Sequence, residues 1–286
     1  MSIATLSRSS AKLDDAEILA GARAMNLAPG GGVGQAQRMA ALYRPGIELA
    51  ELTALIAAEP ALALRTLKVA NSAYYRRCGE VGTVQRAVQV LGATTVKGIA
   101  AAACLDRVMT THAGMAAAEA ARLRRHSIAA ALAAQALARR CAPALEAEAF
   151  MAGVLHEVGM LVFWALRPDE MARQAALGLA RPDLGLSHAH CGQLVMHAWQ
   201  LPVWLQLTVA HHAAGGLPEA MAGDLCAITR LADALATRSG FGLGDECARA
   251  DLDLALARCG LSEADLDALA GELPESVEAF IGALNT

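Results

Sequence analysis

Apolar residues recur three and four positions apart along almost the whole chain, the spacing that lays one face of an α-helix against a core. No run of β-branched and aromatic residues alternates with period two for long enough to build a sheet, so the pattern predicts an all-α protein. A first helix is expected over 14–25, with Asp14 and Asp15 able to cap it. The glycine-rich stretch L-A-P-G-G-G-V-G at 27–34 breaks the pattern and reads as a linker. It is not a phosphate cradle, because no strand precedes it and no Gly-Lys-Ser/Thr follows. Helices are expected over 35–44, 48–58 and 60–71, the last with Pro60 in its first turn. After a polar loop at 72–83, helices over 84–91 and 94–109 should meet tightly at Gly92. The periodicity then predicts helices over 116–140, 146–165, 168–179, 188–199, 202–212 and 218–237. Beyond a glycine-marked break at Gly240, Gly242 and Gly244, three short amphipathic pieces should follow.

The whole then divides into an N-terminal helix (1–26), a two-part helical bundle (27–237) and a C-terminal helical extension (238–286). In the bundle, an N-terminal half (27–112) packs on a second half (113–237).

Composition narrows the function. The 286 residues are 55% hydrophobic, ample for a sizeable core, and 24 Lys+Arg against 28 Asp+Glu leave a formal charge of −4. An acidic chain with only 3% aromatic residues and no basic block offers nothing to grip a phosphate backbone, so nucleic acid is not an expected partner. Mean hydropathy is high, +0.36, yet the most apolar stretches, 128–138 and 154–166, are short. A membrane span needs about 18 nearly uninterrupted apolar residues, so buried helices are expected and no membrane. The N-terminus lacks an apolar signal core. The seven cysteines include no C-x-x-C pair. Both features point to a reducing cytoplasm.

The candidate chemistry lies in the second half, where His126, the pair His156-Glu157, His188, the pair His211-His212 and Asp233 follow in order. Imidazole and carboxylate are the donors that borderline divalent metals select, and a helical bundle can gather them from several helices. On the residues alone two readings stay open: a metal set, or buried histidines that satisfy one another and nearby carboxylates by hydrogen bonding. For Asn71 and Ser72, with Tyr74 and Tyr75 behind them, the reading is a helix stop. Asn accepts a left-handed conformation, the short polar side chains satisfy backbone groups, and the tyrosines pin the junction between the two halves. Trp199, Trp204 and Pro202 read as packing anchors at a turn that opens a helix.

The order His, His-Glu, His, His-His, Asp is similar to that of the HD superfamily of metal-dependent phosphohydrolases, and the match to its HDOD branch is closer. The stretches that carry the likeness are E-P-A-L-A-L-R-T-L-K-V-A-N-S-A-Y-Y (59–75), A-V-Q-V-L-G (87–92), F-M-A-G-V-L-H-E-V-G-M-L (150–161) and G-L-S-H-A-H-C-G-Q-L-V-M-H-A-W-Q-L-P (185–202). The resemblance spans 27–237. It implies a helical regulatory module of bacterial signal transduction that binds other signalling proteins and has lost hydrolase activity. Homo-oligomerisation is compatible with it.

Two departures bear on the chemistry. Glu157 stands where the superfamily has a metal-bridging aspartate, and its extra methylene moves the carboxylate by about an ångström, when ligand distances hold within about 0.2 Å. Met160 stands where the catalytic families have a lysine, which removes a cation from the transition state. No H-H-E or D-G-Y-P signature of the cyclic-dinucleotide phosphodiesterases follows His212. The expectation is therefore a non-catalytic protein with no required cofactor. The alternatives are a metal-dependent phosphohydrolase or phosphodiesterase, with a divalent ion such as iron or manganese at the histidines, and a sensor that binds a metal or a nucleotide without turnover.

Overall fold

The computed structural model describes residues 12–27, 42, 47–72, 75, 80–112, 115–176, 186–244 and 248–285. Apart from Leu27 and Leu42, the expected linker and the helix at 35–44 lie outside them, as does Tyr74. The described residues contain helices and no strand. In chain order they are α1 (Asp15–Leu27), α2 (Leu49–Ala57), α3 (Pro60–Ala70), α4 (Val84–His112), α5 (Ala117–Cys141), α6 (Glu146–Leu155), α7 (Val158–Leu166), α8 (Pro168–Ala176), α9 (His188–Ala198), α10 (Val203–His211), α11 (Ala220–Ala236), α12 (Arg249–Cys259) and α13 (Glu263–Asn285).

The centre is α5, whose residues 126–135 are all buried. Its run I-A-A-A-L-A-A is apolar all round and slim, so other helices can approach from every side. α4, α6, α11 and α13 pack against it. The N-terminal half reaches the second half mainly through α4, which lies on both α5 and α6. Gly92 interrupts α4 with φ 75° and ψ 161°, a conformation open to glycine, as the sequence anticipates at that joint. One continuous hydrophobic core runs from Leu13 in the N-terminal segment to Ile281 in the last helix.

Four features differ from the sequence reading. The helix expected over 146–165 is two helices, α6 and α7, broken at His156 and Glu157. The cause is local: His156 Nδ1 donates to Gly153 O at 2.9 Å, occupying the carbonyl that the Glu157 N–H would use in an unbroken helix. Residues 143–166, which the sequence reading does not count as a span, are apolar enough to cross a membrane by length and composition, with mean hydropathy 1.7. The most apolar 18 residues of this stretch, 149–166, are all buried, and their surface is spent on the protein core. The C-terminal region forms two helices rather than three short pieces, because the apolar face of α13 (Leu266, Leu269, Leu273, Val277, Phe280, Ile281) runs unbroken across Pro274. Finally, Asn71 ends α3 with φ −90° and ψ 0°, so it is not left-handed.

The first and last described helices are tied down by named contacts. Trp199 Nε1 donates to Ala22 O at 3.0 Å and Arg167 Nη2 to Glu17 Oε1 at 3.2 Å, fixing α1 on α9 and α7. Phe280 of α13 meets Phe150 of α6 with ring centroids 6.2 Å apart.

Candidate metal centre

Two close approaches of backbone bring the histidine-bearing elements together. A Cβ on Gly153 would stand 2.6 Å from Ala131 Cα, so glycine lets α6 lie directly on α5. A Cβ on Gly159 would stand 2.0 Å from His188 O, so glycine lets the start of α7 touch the start of α9. His126 projects from the middle of α5, His156 and Glu157 come from the break between α6 and α7, and His188 opens α9. His212 follows the end of α10, and Asp233 comes from α11.

These residues converge in the interior. His126, His156 and His212 are 0% exposed, Glu157 1%, His188 7% and Asp233 7%. His126 Nε2 lies 3.0 Å from His156 Nε2 and 3.4 Å from Asp233 Oδ1. His156 Nε2 lies 3.8 Å from Glu157 Oε1 and 3.9 Å from Asp233 Oδ1. On the far side of the carboxylate, Glu157 Oε2 lies 3.8 Å from His188 Nε2, which is 3.1 Å from His212 Nε2. Glu157 therefore stands between two sets of donors. One is His126, His156 and Glu157, the other Glu157, His188 and His212, and in each set the donor atoms all lie within 4.8 Å of one another. Glu157 sits in the broken backbone at φ −94°, ψ 12°, and its carboxylate reaches both sets.

The hydrogen bonds on the outer ring nitrogens decide what the inner ones can do. His126 Nδ1 donates to Phe241 O at 2.9 Å, His156 Nδ1 to Gly153 O at 2.9 Å and His212 Nδ1 to Val209 O at 2.7 Å. A ring nitrogen facing a carbonyl carries the hydrogen, which leaves Nε2 of each neutral ring as a bare lone pair. His126 and His156 thus point two acceptors at each other across 3.0 Å, with Asp233 beside them. Burial pushes the His126 pKa down, opposed by Asp233, and pushes that of His212 down further, with His156 and His188 adding to the effect, so both rings are held neutral. Facing lone pairs repel unless a cation lies between them. Neighbouring ligands at right angles on an ion with bonds of about 2.1 Å stand about 3.0 Å apart, and the donor set fits a divalent ion of borderline character.

Other sequence candidates fall elsewhere. The structure places His212 in the cluster, whereas His211 ends α10 half-buried and contributes its carbonyl to Arg230. Asn71 closes the loop that follows α3: its side chain donates to Leu67 O (2.9 Å) and Val81 O (2.8 Å) and accepts from Val81 N (2.8 Å). Ser72 Oγ donates to Val69 O at 2.7 Å. Trp199 and Pro202 bracket the turn from α9 to α10, with Pro202 immediately before the first residue of α10. Met160 is 4% exposed and lines a cavity of about 30 Å³ with Glu119, Arg122 and Trp164.

Sequence reasoning missed Arg230. It is 1% exposed, and its guanidinium donates to His211 O (2.8 Å), Gly215 O (3.1 Å), His212 O (3.2 Å) and Asp251 O (3.3 Å). It holds the backbone that presents His212. The signal was a single arginine in the apolar run L-C-A-I-T-R-L-A-D, three residues before Asp233.

The HDOD domain family matches residues 35–214. No curated protein matches the chain. Among solved structures, an HDOD domain protein of unknown function from Geobacter sulfurreducens is 20% identical, with a TM-score of 0.72 over 93% of this chain and 99% of that one. A protein from Marinobacter aquaeolei, provisionally described as a signal transduction protein, is 21% identical, with a TM-score of 0.73 over 100% of this chain and 69% of that one. A protein from Shewanella amazonensis, provisionally described as a phosphohydrolase, is 21% identical, with a TM-score of 0.64 over 93% and 97%. At these identities the likeness is one of fold.

Proposed function

The chain belongs to the HDOD family, and from that premise we propose that it is a regulatory module of bacterial signal transduction. It works by binding other signalling proteins in the cytoplasm, with one or two divalent cations held in its closed histidine cluster and without turnover of phosphoesters. The observation that carries this reading is the enclosure of the cluster: no ligand side chain is more than 10% exposed. A phosphoester has to reach such a centre to be cleaved, and substrate sites typically measure about 300 Å³ or more. The cavity beside Met160, lined by Leu123, Trp164, Met171 and Leu243 among others, includes none of the cluster's ligands.

His126, His156 and Asp233 would hold one ion, His188 and His212 a second, with Glu157 between them. A divalent ion bound there neutralises the carboxylates and satisfies the inward lone pairs. The residues around it then do structural work. The carbonyls of Gly153, Val209 and Phe241 orient the imidazoles, and Arg230 fixes the His212 backbone. Met160 supplies no charge to a phosphate, and losing one such electrostatic group typically costs about a hundredfold to a thousandfold in rate.

The test is turnover by the purified chain loaded with manganese or iron, on an activated phosphodiester and on a cyclic dinucleotide. The expected result is no hydrolysis above the rate of the free metal. Sustained hydrolysis that disappears in His156→Ala would overturn the reading.

A further inference from the structure

Residues 212–215 leave α10 and carry His212 into the cluster, and they are held from two other helices. The last carbonyls of a helix have no partner within it. Arg230 of α11 donates to those of His211 (2.8 Å) and His212 (3.2 Å), and farther along to that of Gly215 (3.1 Å). Asp251, in the first turn of α12, closes the ring. Its Oδ1 accepts from Gly215 N at 3.1 Å and lies 3.5 Å from Arg230 Nη1, and its own carbonyl accepts from that nitrogen at 3.3 Å. A guanidinium only 1% exposed depends on such a countercharge, so Asp251 fixes the fork as well as the loop. Docking of α12 itself does not hang on these bonds. Leu252, Ala255 and Leu256 are buried, and Arg258 at the far end donates to Asp224 Oδ1 at 2.6 Å and to Ala220 O at 3.3 Å. What Asp251 adds is the place of the His212 backbone. Gly215, Arg230 and Asp251 all lie beyond the residues that match the family, 35–214, so the family's motifs do not supply this support.

We propose that Asp251 and Arg230 are positioning residues of the metal centre, a clamp through which α12 sets how tightly Glu157, His188 and His212 hold an ion. The proposal rests on reading the cluster as a metal centre. His212 Nε2 stands 3.1 Å from His188 Nε2, and ligand distances hold within about 0.2 Å, so a small shift of the loop takes His212 out of reach. His126 is placed differently, by Phe241 O on its Nδ1, and does not depend on the clamp. The coupling is reciprocal: whatever loosens Asp251 weakens the hold on the ion, and an ion that fixes His212 strengthens the loop's hold on α12. Asp251 is also where the ring meets solvent, with its side chain 20% exposed, so an event on this face of α12 is felt at the buried histidines.

The test compares the full-length wild type with Asp251→Ala. Metal-free chains are treated with diethyl pyrocarbonate, which acylates a neutral imidazole nitrogen that it can reach, and the modified histidines are mapped by mass spectrometry. In the wild type His126 and His212 should both stay unmodified. In Asp251→Ala His212 should be modified and His126 not, and manganese affinity should fall about tenfold, the lower end of what the outer partners of metal ligands are worth. A His212 that stays protected overturns the proposal, and so does joint modification of His126 and His212, the mark of a chain that has merely loosened. Unchanged manganese affinity in the variant overturns it too. A wild type that binds no manganese instead overturns the metal reading, and the labelling alone then decides whether Asp251 positions His212.

Discussion

Asn71 shows how a single side chain can stand in for a stretch of backbone. Its amide makes the same donor and acceptor pair with Val81 that one strand residue makes with another, and it also caps α3 through Leu67 O. Truncating it leaves Val81 N and Val81 O without these partners, so Asn71→Ala should cost about 2 kcal/mol, read as a shift in the urea midpoint with an unchanged m-value. The histidines make a second prediction at this scale, for the metal-free chain. Folding holds the pKa values of His126 and His212 below the ordinary 6.5, chiefly by burial. The unfolded chain therefore binds more protons below that pH, and unfolding is favoured as protons are added. Stability should be full above pH 6.5 and fall below it, by up to about 1.4 kcal/mol per pH unit for each histidine, as followed by thermal melts from pH 7.5 to 5. The residue types of the cluster were legible in the sequence because few side chains can serve as ligands. Which of His211 and His212 turns inward was not, since neighbours at a helix end differ by only about 100° in direction.

Among the elements, the break between α6 and α7 matters most. Hydropathy reads 146–165 as one helix, because a helix and a broken helix bury the same apolar residues. Only the bond from His156 to its own backbone separates them. That break turns His156 and Glu157 together toward α5 and α9, and glycines at 153 and 159 allow the approach. Gly153→Ala should push α6 from α5, where a Cβ would meet Ala131 Cα at 2.6 Å. The cost in stability should be about 1–3 kcal/mol, together with a loss of metal affinity, because His126 and His156 part. A substitution that lowers stability while affinity is unchanged would mean that the cluster does not depend on this contact. Arg230 illustrates the limit of pattern reading: a lone cation in an apolar helix signals a buried polar task, but not that the task is to hold the carbonyls around His212.

Over the whole molecule, the all-helical class and the packing of the N-terminal half on the second half were legible because periodicity and the Asn71 stretch repeat the same message at several places. The C-terminal extension was less so. Pro274 reads as a breaker, yet the buried stripe on either side of it carries one helix across α5. Parts of the site also come from outside the residues that match the family, 35–214, since Asp233 and Arg230 lie on α11 and Asp251 on α12. The second half is thus held together around its cluster by elements that have no motif of their own. The claim on which the account rests is that a cation belongs where His126 and His156 face each other. The metal content of the purified full-length chain after incubation with manganese or iron and removal of free ion tests it directly. One or two ions should be retained per chain, lost in His156→Ala and accompanied by a higher Tm. A wild-type chain that stays metal-free under these conditions would contradict it and leave the histidines as a purely protein-internal network.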